Sequence, residues 1–139
     1  MKFLFDTSAL YKRYQQEPGR EQVMALAGQA GEIIVAAHCK TEIASAINRQ
    51  RHDGLVTAED YLRIMADVHA DFAEFKRMLL DGRVEVLAVA AMERVRLRAI
   101  DALHIGTALV ANVDLFVTAD SRQAVAARSA GLKTELIEV

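Results

Sequence analysis

The sequence predicts an α/β fold, a three-layer sandwich built around a mostly parallel, doubly wound sheet. Short apolar runs alternate with stretches of helical periodicity along the 139 residues, and this alternation is typical of parallel strands joined by crossover helices. Hydrophobic residues make up 53% of the chain and charged residues 26%, which is enough apolar material for one globular core. Because no repeat, low-complexity tract or linker interrupts the pattern, we expect a single domain over residues 1–139.

Five apolar runs are the predicted strands of this sheet. The first is KFLF, next to the N-terminus, and the second contains Ile33, Ile34 and Val35. The third begins at Val84, the fourth is LFVT, and the last closes the chain. By residue number, the five predicted strands are 2–5, 32–36, 84–89, 115–118 and 134–139. Apolar runs of this length are typical of buried strands.

Helical periodicity and capping residues predict the elements between the strands. Thr57 begins one helix, because an acid follows it three positions later, as in a capping box. Pro18 is tolerated in the first turn of another helix, and Gly131 ends the last one. The remaining helices are predicted near 7–14, 40–51, 91–98, 101–111 and 121–130. The helix after Thr57 continues as one apolar stripe at steps of three and four residues: Tyr61, Met65, Val68, Phe72, Phe75 and Leu79.

The bulk properties exclude some classes of protein. No apolar stretch reaches the roughly 20 residues of a membrane helix, and the charge at Asp6 comes too early for a signal-peptide core. We therefore expect a cytoplasmic protein. Its single cysteine, Cys39, cannot form an internal disulfide, which agrees with a reducing compartment. The net charge of −2 does not mark the chain as a nucleic-acid binder, but arginines elsewhere would still meet phosphates.

Four acidic residues stand next to predicted core elements. Asp6 follows the first strand and Asp120 follows the fourth, so both lie at the carboxyl edge of the sheet, where such folds bind ligands. Glu42 borders the apolar face of its helix, and Asp101 begins a helix that is apolar on nearly all sides. Singly, each acid could be an ordinary helix cap or surface residue. Gathered at one edge, they would repel one another and raise their own pKa values unless a cation compensates them.

Carboxylate oxygens favour a hard divalent cation. Magnesium and manganese ions prefer oxygen ligands and keep several bound waters. The one cysteine and the four scattered histidines lack the spacing of a zinc site. A cation held by the acids could align a phosphodiester, activate a water molecule and stabilise the leaving oxygen. The residues alone therefore predict phosphodiester hydrolysis.

Four segments carry a resemblance to a known family. They are FLFDTSAL at 3–10, TEIASAI at 41–47, IDALHIGTAL at 100–109 and LFVTAD at 115–120. In this order and at these distances they resemble the PIN-domain ribonucleases, specifically the VapC-type toxins of type II toxin–antitoxin pairs. The resemblance runs almost from end to end, as far as the closing AARSAGLKTELIEV. It implies a PIN-like doubly wound sheet and an endoribonuclease that depends on Mg²⁺ or Mn²⁺.

The resemblance also assigns roles to individual residues. Ser8 and Thr118 match hydroxyls that support the acids by hydrogen bonds. Gly106 stands where alanine is expected, a departure that we expect to affect helix packing rather than chemistry. The acids that match the catalytic and metal-binding carboxylates of the family are Asp6, Glu42, Asp101 and Asp120.

Partners follow from the same resemblance. Members of the family hydrolyse RNA with water and leave a 5′-phosphate. They usually form homodimers, and a cognate antitoxin holds them inactive. Arg49 lies seven residues after Glu42, on the same helical stripe, and could reach an RNA phosphate. His104 lies three residues after Asp101 and could contact a phosphate or carry a proton, although a packing role in the interior is the alternative.

Other classes of protein compete with this interpretation. A haloacid-dehalogenase-like phosphatase needs a second aspartate two residues after the first, where this chain has Ser8. A receiver domain needs an acidic pair near Asp6 and a lysine at the end of the last strand, and the sequence has neither. A catalytically inactive PIN-like module that binds RNA or protein stays open as an alternative, since acids can bind a metal without turnover.

Overall fold

A five-stranded parallel sheet forms the centre of the computed structural model, which describes residues 1–138. The strand order is β3-β2-β1-β4-β5, and every described neighbouring pair is parallel. Of the predicted last strand, residues 134–136 are confirmed, and Val139 lies outside the described residues. The strands are β1 (Lys2–Phe5), β2 (Glu32–Val35), β3 (Lys76–Arg77), β4 (Leu115–Thr118) and β5 (Thr134–Leu136).

Seven helices and one 3-10 turn connect the strands in the described part of the chain. Pro18 lies just before the second helix rather than in its first turn, because Gly19 caps that helix with φ of 94°. No helix within residues 1–138 combines the length and the apolar character needed to cross a bilayer. The helices are α1 (Thr7–Leu10), followed by the 3-10 turn Tyr11–Tyr14, α2 (Arg20–Gln29), α3 (Cys39–His52), α4 (Ala58–Glu74), α5 (Gly82–Arg94), α6 (Ala99–Ala111) and α7 (Ser121–Ser129).

Helices cover both faces of the sheet, which confirms the predicted three-layer sandwich. Successive strand side chains point to opposite faces, so Phe3 and Phe5 of β1 pack on one side and Leu4 on the other. Helices α1 to α4 pack against the first face. Helices α5 to α7 pack against the second face, where they meet Leu4, Ile34 and Phe116.

The strand order reverses between β1 and β4. From the central β1, the chain continues to β2 and β3 on one side and later adds β4 and β5 on the other. Phe5 pairs with Val117 in the register of β1 and β4, so the carboxyl ends of both strands meet at the same edge. In open α/β sheets this reversal leaves a crevice beyond the carboxyl ends of the strands, which is the usual place for a ligand.

Residues 84–89 are helical, so the predicted third strand is wrong. The sequence VEVLAV alternates as a strand does, but Asp81 caps a helix there by accepting hydrogen bonds from the backbone N–H groups of Arg83 and Val84. Val84, Ala88 and Ala91 are the buried residues of α5, at the spacing of one helical face. This helix ends at Arg94, so the separate helix predicted at 91–98 is wrong: residues 91–94 belong to α5, and residues 95–98 connect α5 to α6. The third strand is the two-residue β3, which has no apolar run to reveal it.

The apolar stripe after Thr57 also ends earlier than predicted. The cap is as expected, since the Thr57 hydroxyl accepts a hydrogen bond from the Asp60 backbone N–H at 3.0 Å. The helix stops at Glu74, and Phe75 is extended, with ψ of 149°. Leu79 therefore lies outside α4, and 82% of its surface is exposed.

Gly106 allows α5 and α6 to pack with their backbones in close approach. A Cβ atom at this position would lie 2.5 Å from the carbonyl oxygen of Val84 and 3.1 Å from the backbone nitrogen of Ala88. Both contacts are with backbone, which cannot move aside as a flexible side chain does. Gly106, which departs from the family pattern, therefore lies where the backbones of α5 and α6 are too close for a Cβ atom.

Replacing this glycine is expected to destabilise the fold. Gly106→Ala should lower the free energy of unfolding by about 1–3 kcal/mol through overpacking, offset by at most ~1 kcal/mol of helix propensity. Urea unfolding followed by circular dichroism measures the change. Gly28→Ala in α2 is the matched control, because its Cβ would meet no atom within 4 Å, and this variant should be as stable as the wild type or more so. Equal gains in stability at both positions would contradict the close approach.

Candidate active site

Asp6 is buried at the carboxyl end of β1, with only 3% of its surface exposed. Its Oδ1 accepts hydrogen bonds from the Ala9 backbone N–H at 3.0 Å and from the Ser8 hydroxyl at 2.7 Å. Its Oδ2 accepts a hydrogen bond from the Thr118 hydroxyl at 2.6 Å. Asp6 therefore caps α1 and is held on both oxygens at once. The two hydroxyls that the family pattern singled out, at Ser8 and Thr118, both contact this one carboxylate.

Burial raises the pKa of Asp6, although the neighbouring His104 and the three hydrogen bonds act in the opposite direction. The cause is the loss of water around the ionised form. A positive charge near the carboxylate would favour the ionised form and lower this pKa. The environment of Asp6 is thus the kind in which a cation is stabilising.

A short hydrogen-bond network joins the ends of β1 and β4. The hydroxyl oxygens of Ser8 and Thr118 lie 3.2 Å apart, and the Ser8 oxygen also accepts a hydrogen bond from the Ala119 backbone N–H at 2.9 Å. The Thr118 oxygen accepts another from the Asp120 backbone N–H at 3.1 Å. Asp6 and Asp120 are therefore held at fixed positions on neighbouring strand ends.

Glu42 lies on α3 and is oriented through one of its two oxygens. Its Oε1 accepts a hydrogen bond from the Thr7 hydroxyl at 2.5 Å and lies 2.9 Å from His104 Nε2 and 3.3 Å from His38 Nε2. Its Oε2 has no hydrogen-bond partner among residues 1–138. Burial alone would raise the pKa of Glu42, but the hydrogen bonds from His104 and Thr7 and the charges of the two histidines lower it overall. The rise in pKa expected from neighbouring acids is therefore absent at Glu42, because the histidines and Thr7 stabilise its ionised form, and one of its oxygens is free.

The histidines are not scattered in space as they are in sequence. His38, Glu42 and His104 place one potential ligand atom each within 4.8 Å of the others, and the two imidazole rings lie 4.4 Å apart. Only two of the four histidines belong to this group, which the spacing in the sequence did not reveal. Both Nε2 atoms are already used, however, since His104 contacts Glu42 and His38 Nε2 lies 2.9 Å from the carbonyl oxygen of Ile100. His104 is 1% exposed, so the structure places it in the interior, where it orients Glu42.

Asp101 is paired with an arginine one turn earlier in the chain. Arg98 Nε and Nη2 donate to Asp101 Oδ2 and Oδ1 at 3.0 and 3.4 Å, and the side chains are 73% and 20% exposed respectively. Asp101 raises the pKa of Arg98, and Glu42 and Asp120 contribute in the same direction. The guanidinium of Arg98 therefore lies within the electrostatic field of three of the four acids.

Asp120 caps α7 and shares a cleft with Asp101. Its Oδ1 accepts hydrogen bonds from the backbone N–H groups of Arg122 and Gln123 at 2.8 and 3.3 Å. Its Oδ2 has no hydrogen-bond partner in the described part of the chain. The Gln123 side-chain amide donates to the Asp101 carbonyl oxygen at 2.9 Å and so ties α7 to α6. Asp101 and Asp120 both line an open cleft of about 820 Å³.

The donor set fits a hard divalent cation. Glu42 Oε2 and Asp120 Oδ2 are free, and the exposed Arg98 is the only described ion-pair partner of Asp101. Within residues 1–138, no three of the four carboxylates meet the 4.8 Å spacing that the histidine group meets. A magnesium or manganese ion, which binds through few carboxylates and keeps several waters, suits such a spacing better than a fully caged ion does.

Several residues at this edge were not singled out from the sequence. Thr7 is the middle residue of the DTS motif and bonds Glu42, and His38 flanks the same carboxylate. Arg98, just before α6, pairs with Asp101 three residues later. Arg49, a predicted RNA contact, lies exposed near the end of α3.

The fold and the acidic edge define an α/β protein with a ligand site at the reversal of a doubly wound sheet. The family model of the PIN domain matches residues 3–129, and the chain therefore belongs to the PIN domain family. This finding confirms the resemblance stated from the sequence motifs. The curated proteins contain no match to this chain.

Solved structures with a similar fold include several toxin–antitoxin proteins. VapBC2 from Rickettsia felis, bound to a DNA fragment from their promoter, has a TM-score of 0.72 and 11% identity, covering 99% of this chain and 100% of that one. A toxin–antitoxin complex from Klebsiella pneumoniae has a TM-score of 0.64 and 16% identity, covering 86% and 88%. VapC20 from Mycobacterium tuberculosis, a sarcin-ricin loop cleaving toxin, has a TM-score of 0.69 and 12% identity, covering 89% and 94%. At these identities the likeness shows the fold.

Proposed function

We propose that this PIN-domain protein is a metal-dependent endoribonuclease and the toxin of a VapC-type toxin–antitoxin pair. The observation that carries the proposal is the placement of four acids from four separate segments around one edge of the sheet. Asp6 and Asp120 also cap helices, but capping does not require a buried carboxylate at Asp6 or a carboxylate with a free oxygen at Glu42. The residues that would hold Mg²⁺ or Mn²⁺ and carry catalysis are Asp6, Glu42, Asp101 and Asp120.

The described hydrogen bonds position the carboxylates before any substrate arrives. Thr118 and Ser8 fix both oxygens of Asp6, while Thr7 and His104 fix one oxygen of Glu42 and leave the other free. This is the preorganisation that phosphoryl transfer requires, since positioning and charge supply most of its catalysis. A bound divalent cation supplies Lewis-acid polarisation of the phosphate and a water of lowered pKa.

The cleft lined by Asp101 and Asp120 is the proposed binding site for the RNA substrate. It is open to solvent at the carboxyl edge, so a strand of RNA can lie across it with one phosphodiester at the acids. Arg49 lies exposed on the same helix as Glu42 and is a candidate contact for a more distant phosphate. His104 serves the site by orienting Glu42 from the interior.

The proposed partners are a cognate antitoxin and a second copy of this chain, in the cytoplasm. Structures with this fold include toxin–antitoxin complexes, and the acidic edge offers carboxylates that an arginine can bind in bidentate fashion. The pairing of Arg98 with Asp101 has this form within the chain itself. An antitoxin arginine that reached the edge would compete with the metal for the same oxygens.

Metal-dependent cleavage of RNA tests the proposal. The purified chain should cut an end-labelled RNA containing folded and single-stranded regions in the presence of Mg²⁺ or Mn²⁺, and EDTA should stop the reaction. Readdition of the metal should restore it. Absence of cleavage with either ion, by a protein shown to bind that RNA, would favour the alternative of a catalytically inactive binding module.

A further inference from the structure

Three arginines from two segments of the chain converge on the cleft that contains Asp101 and Asp120. Arg96 and Arg98 come from the connection between α5 and α6, and Arg122 comes from the first turn of α7. All three side chains are exposed. These segments are about 24 residues apart in sequence, and the packing of α7 against α5 and α6 brings them together.

Two of these arginines have no internal charge partner. Arg98 is bound to Asp101, but the side chains of Arg96 and Arg122 make no ion pair or hydrogen bond with any residue in 1–138. Some other exposed arginines do find such partners, as Arg63 does with Asp60 and Arg83 with Asp81. Two unpaired arginine charges therefore lie beside the acids in this cleft.

The charge of this cleft runs against that of the whole chain. The chain carries a net charge of −2, whereas three arginines and two aspartates line the cleft and leave it with one positive charge in excess. A divalent cation at the aspartates would increase that excess. Phosphodiester groups carry a negative charge at every nucleotide and are the ligands that arginine binds well.

Gln123, which lines the cleft, has a buried hydrogen-bond acceptor without a donor in residues 1–138. Gln123 lines the cleft and is 1% exposed, and its Oε1 is buried without a hydrogen-bond partner among the described residues. Its amide orientation is fixed by the bond from Nε2 to the Asp101 carbonyl oxygen, because the reversed amide would place two acceptors together. A buried acceptor of this kind needs an N–H or O–H donor from a water or a ligand.

We propose that Arg96 and Arg122 bind backbone phosphates of single-stranded RNA next to the phosphodiester held at the carboxylates. This inference rests on the proposed function and adds the surface that holds the substrate. Arg96 and Arg122 are positioning residues, since they contact the strand outside the reacting phosphate. They therefore increase the affinity for RNA, and they do so equally for RNAs of different sequence, because every nucleotide carries the same phosphate.

Salt-dependent binding tests this surface. A fluorescein-labelled single-stranded RNA of mixed sequence is titrated with the full chain in the Asp6→Asn background with Mg²⁺, and anisotropy gives Kd from 50 to 300 mM KCl. Each phosphate contact on a single strand contributes about 0.7 to the slope of log Kd against log salt. Arg96→Ala combined with Arg122→Ala should therefore reduce the slope by about 1.4 and weaken binding roughly 25-fold at 0.1 M salt. Lysine at both positions should restore most of the affinity.

Arg128→Ala is the matched control, because Arg128 is an exposed arginine on the same helix as Arg122, in its last turn. It should leave Kd and the salt slope unchanged. The double variant should lose the same affinity and slope on a second RNA of unrelated sequence.

A double variant that stays folded and keeps the Kd and slope of its Asp6→Asn parent overturns the proposal. Cleavage is measured separately with Asp6 intact. If the double variant loses RNA binding but the chain with Asp6 intact never cleaves RNA, the binding surface is supported and the proposed nuclease function is wrong. If the double variant binds RNA as its parent does but the chain with Asp6 intact cleaves RNA, the nuclease function stands and the binding surface is wrong.

Discussion

Replacement of Asp6 by asparagine is expected to abolish RNA cleavage while the protein stays folded. Asparagine has nearly the same shape, and its oxygen can still accept the hydrogen bonds from Ala9 and Ser8. It cannot carry the negative charge that would hold a cation beside the phosphate. A fall in kcat of about 10³-fold or more is expected, as for other losses of preorganised charge at a reacting centre.

The direction in which Asp6→Asn changes the stability of the fold follows from the pKa of Asp6. Burial raises the pKa of Asp6, so ionising this carboxyl costs the folded state stability as the pH rises from the unfolded pKa through the folded pKa. At neutral pH and without metal, the uncharged amide avoids this cost. Its Nδ2 can donate to the Thr118 oxygen in place of the hydrogen bond that Oδ2 accepts, and the Thr118 hydroxyl can then donate to Ser8. The melting temperature of Asp6→Asn in EDTA should therefore equal or exceed that of the wild type, which separates lost chemistry from lost structure.

The control for Asp6→Asn lies at the opposite edge of the sheet. Asp114 precedes β4 and accepts a hydrogen bond from the Lys2 backbone N–H at 2.8 Å, so it is an aspartate tied to the same pair of strands. Asp114→Asn should retain cleavage even where it lowers stability. A folded Asp6→Asn protein that cleaves RNA at the wild-type rate would remove Asp6 from the mechanism.

The second large effect is stabilisation of the fold by a divalent cation. A cation at one hundred times its Kd adds about 2.7 kcal/mol to the free energy of unfolding, which corresponds to a rise of roughly 5–10 °C in Tm for a domain of this size. The cause is relief of the cost of holding the buried Asp6 carboxylate ionised. Thermal scans with Mg²⁺ and Mn²⁺ from micromolar to tens of millimolar concentrations measure it.

Glu42→Gln should reduce this metal-induced shift. The substitution keeps the side-chain length but replaces a free carboxylate oxygen with an amide, which is a weaker ligand for a hard cation. Asp114→Asn should leave the shift intact. If the wild type shows no shift at any concentration, or if Glu42→Gln shifts as the wild type does, the assignment of Glu42 to the metal is wrong.

The sequence was informative where local patterns carry the structure. The apolar runs of β1, β2 and β4 and the cap at Thr57 are local signals, and they predicted these elements almost to the residue. The run at 84–89 misled because an alternating pattern of six residues also fits an amphipathic helix, and the cap at Asp81 decides between them. The two exposed residues of β3 take part in the sheet only through pairing with β2.

Some residues of the candidate site could also be placed from local sequence patterns, whereas others depend on tertiary packing. Asp6 and Asp120 were placed at the sheet edge because strand ends fix them, and that placement follows from the sequence pattern. The contact of Glu42 with His104 depends on how α3 packs beside α6, which no local pattern encodes. The contact of Glu42 with His38 is a local i,i+4 contact at the start of α3, and its spacing was available in the sequence. The pairing of Arg98 with Asp101 is a local i,i+3 contact on a helix, and the spacing of these two charges was a signal available in the sequence.

The fate of the water oxygen tests the central claim most directly. RNA is cleaved by the wild-type chain with Mn²⁺ in water enriched in oxygen-18, and mass spectrometry reads the ends of the fragments. Hydrolysis by a positioned water at the acidic edge predicts one oxygen-18 atom in a 5′-phosphate on the downstream fragment, and no product with Asp6→Asn. A 2′,3′-cyclic phosphate without oxygen-18, formed equally well in EDTA, would show that the ribose hydroxyl attacks and would contradict metal-dependent hydrolysis at these carboxylates.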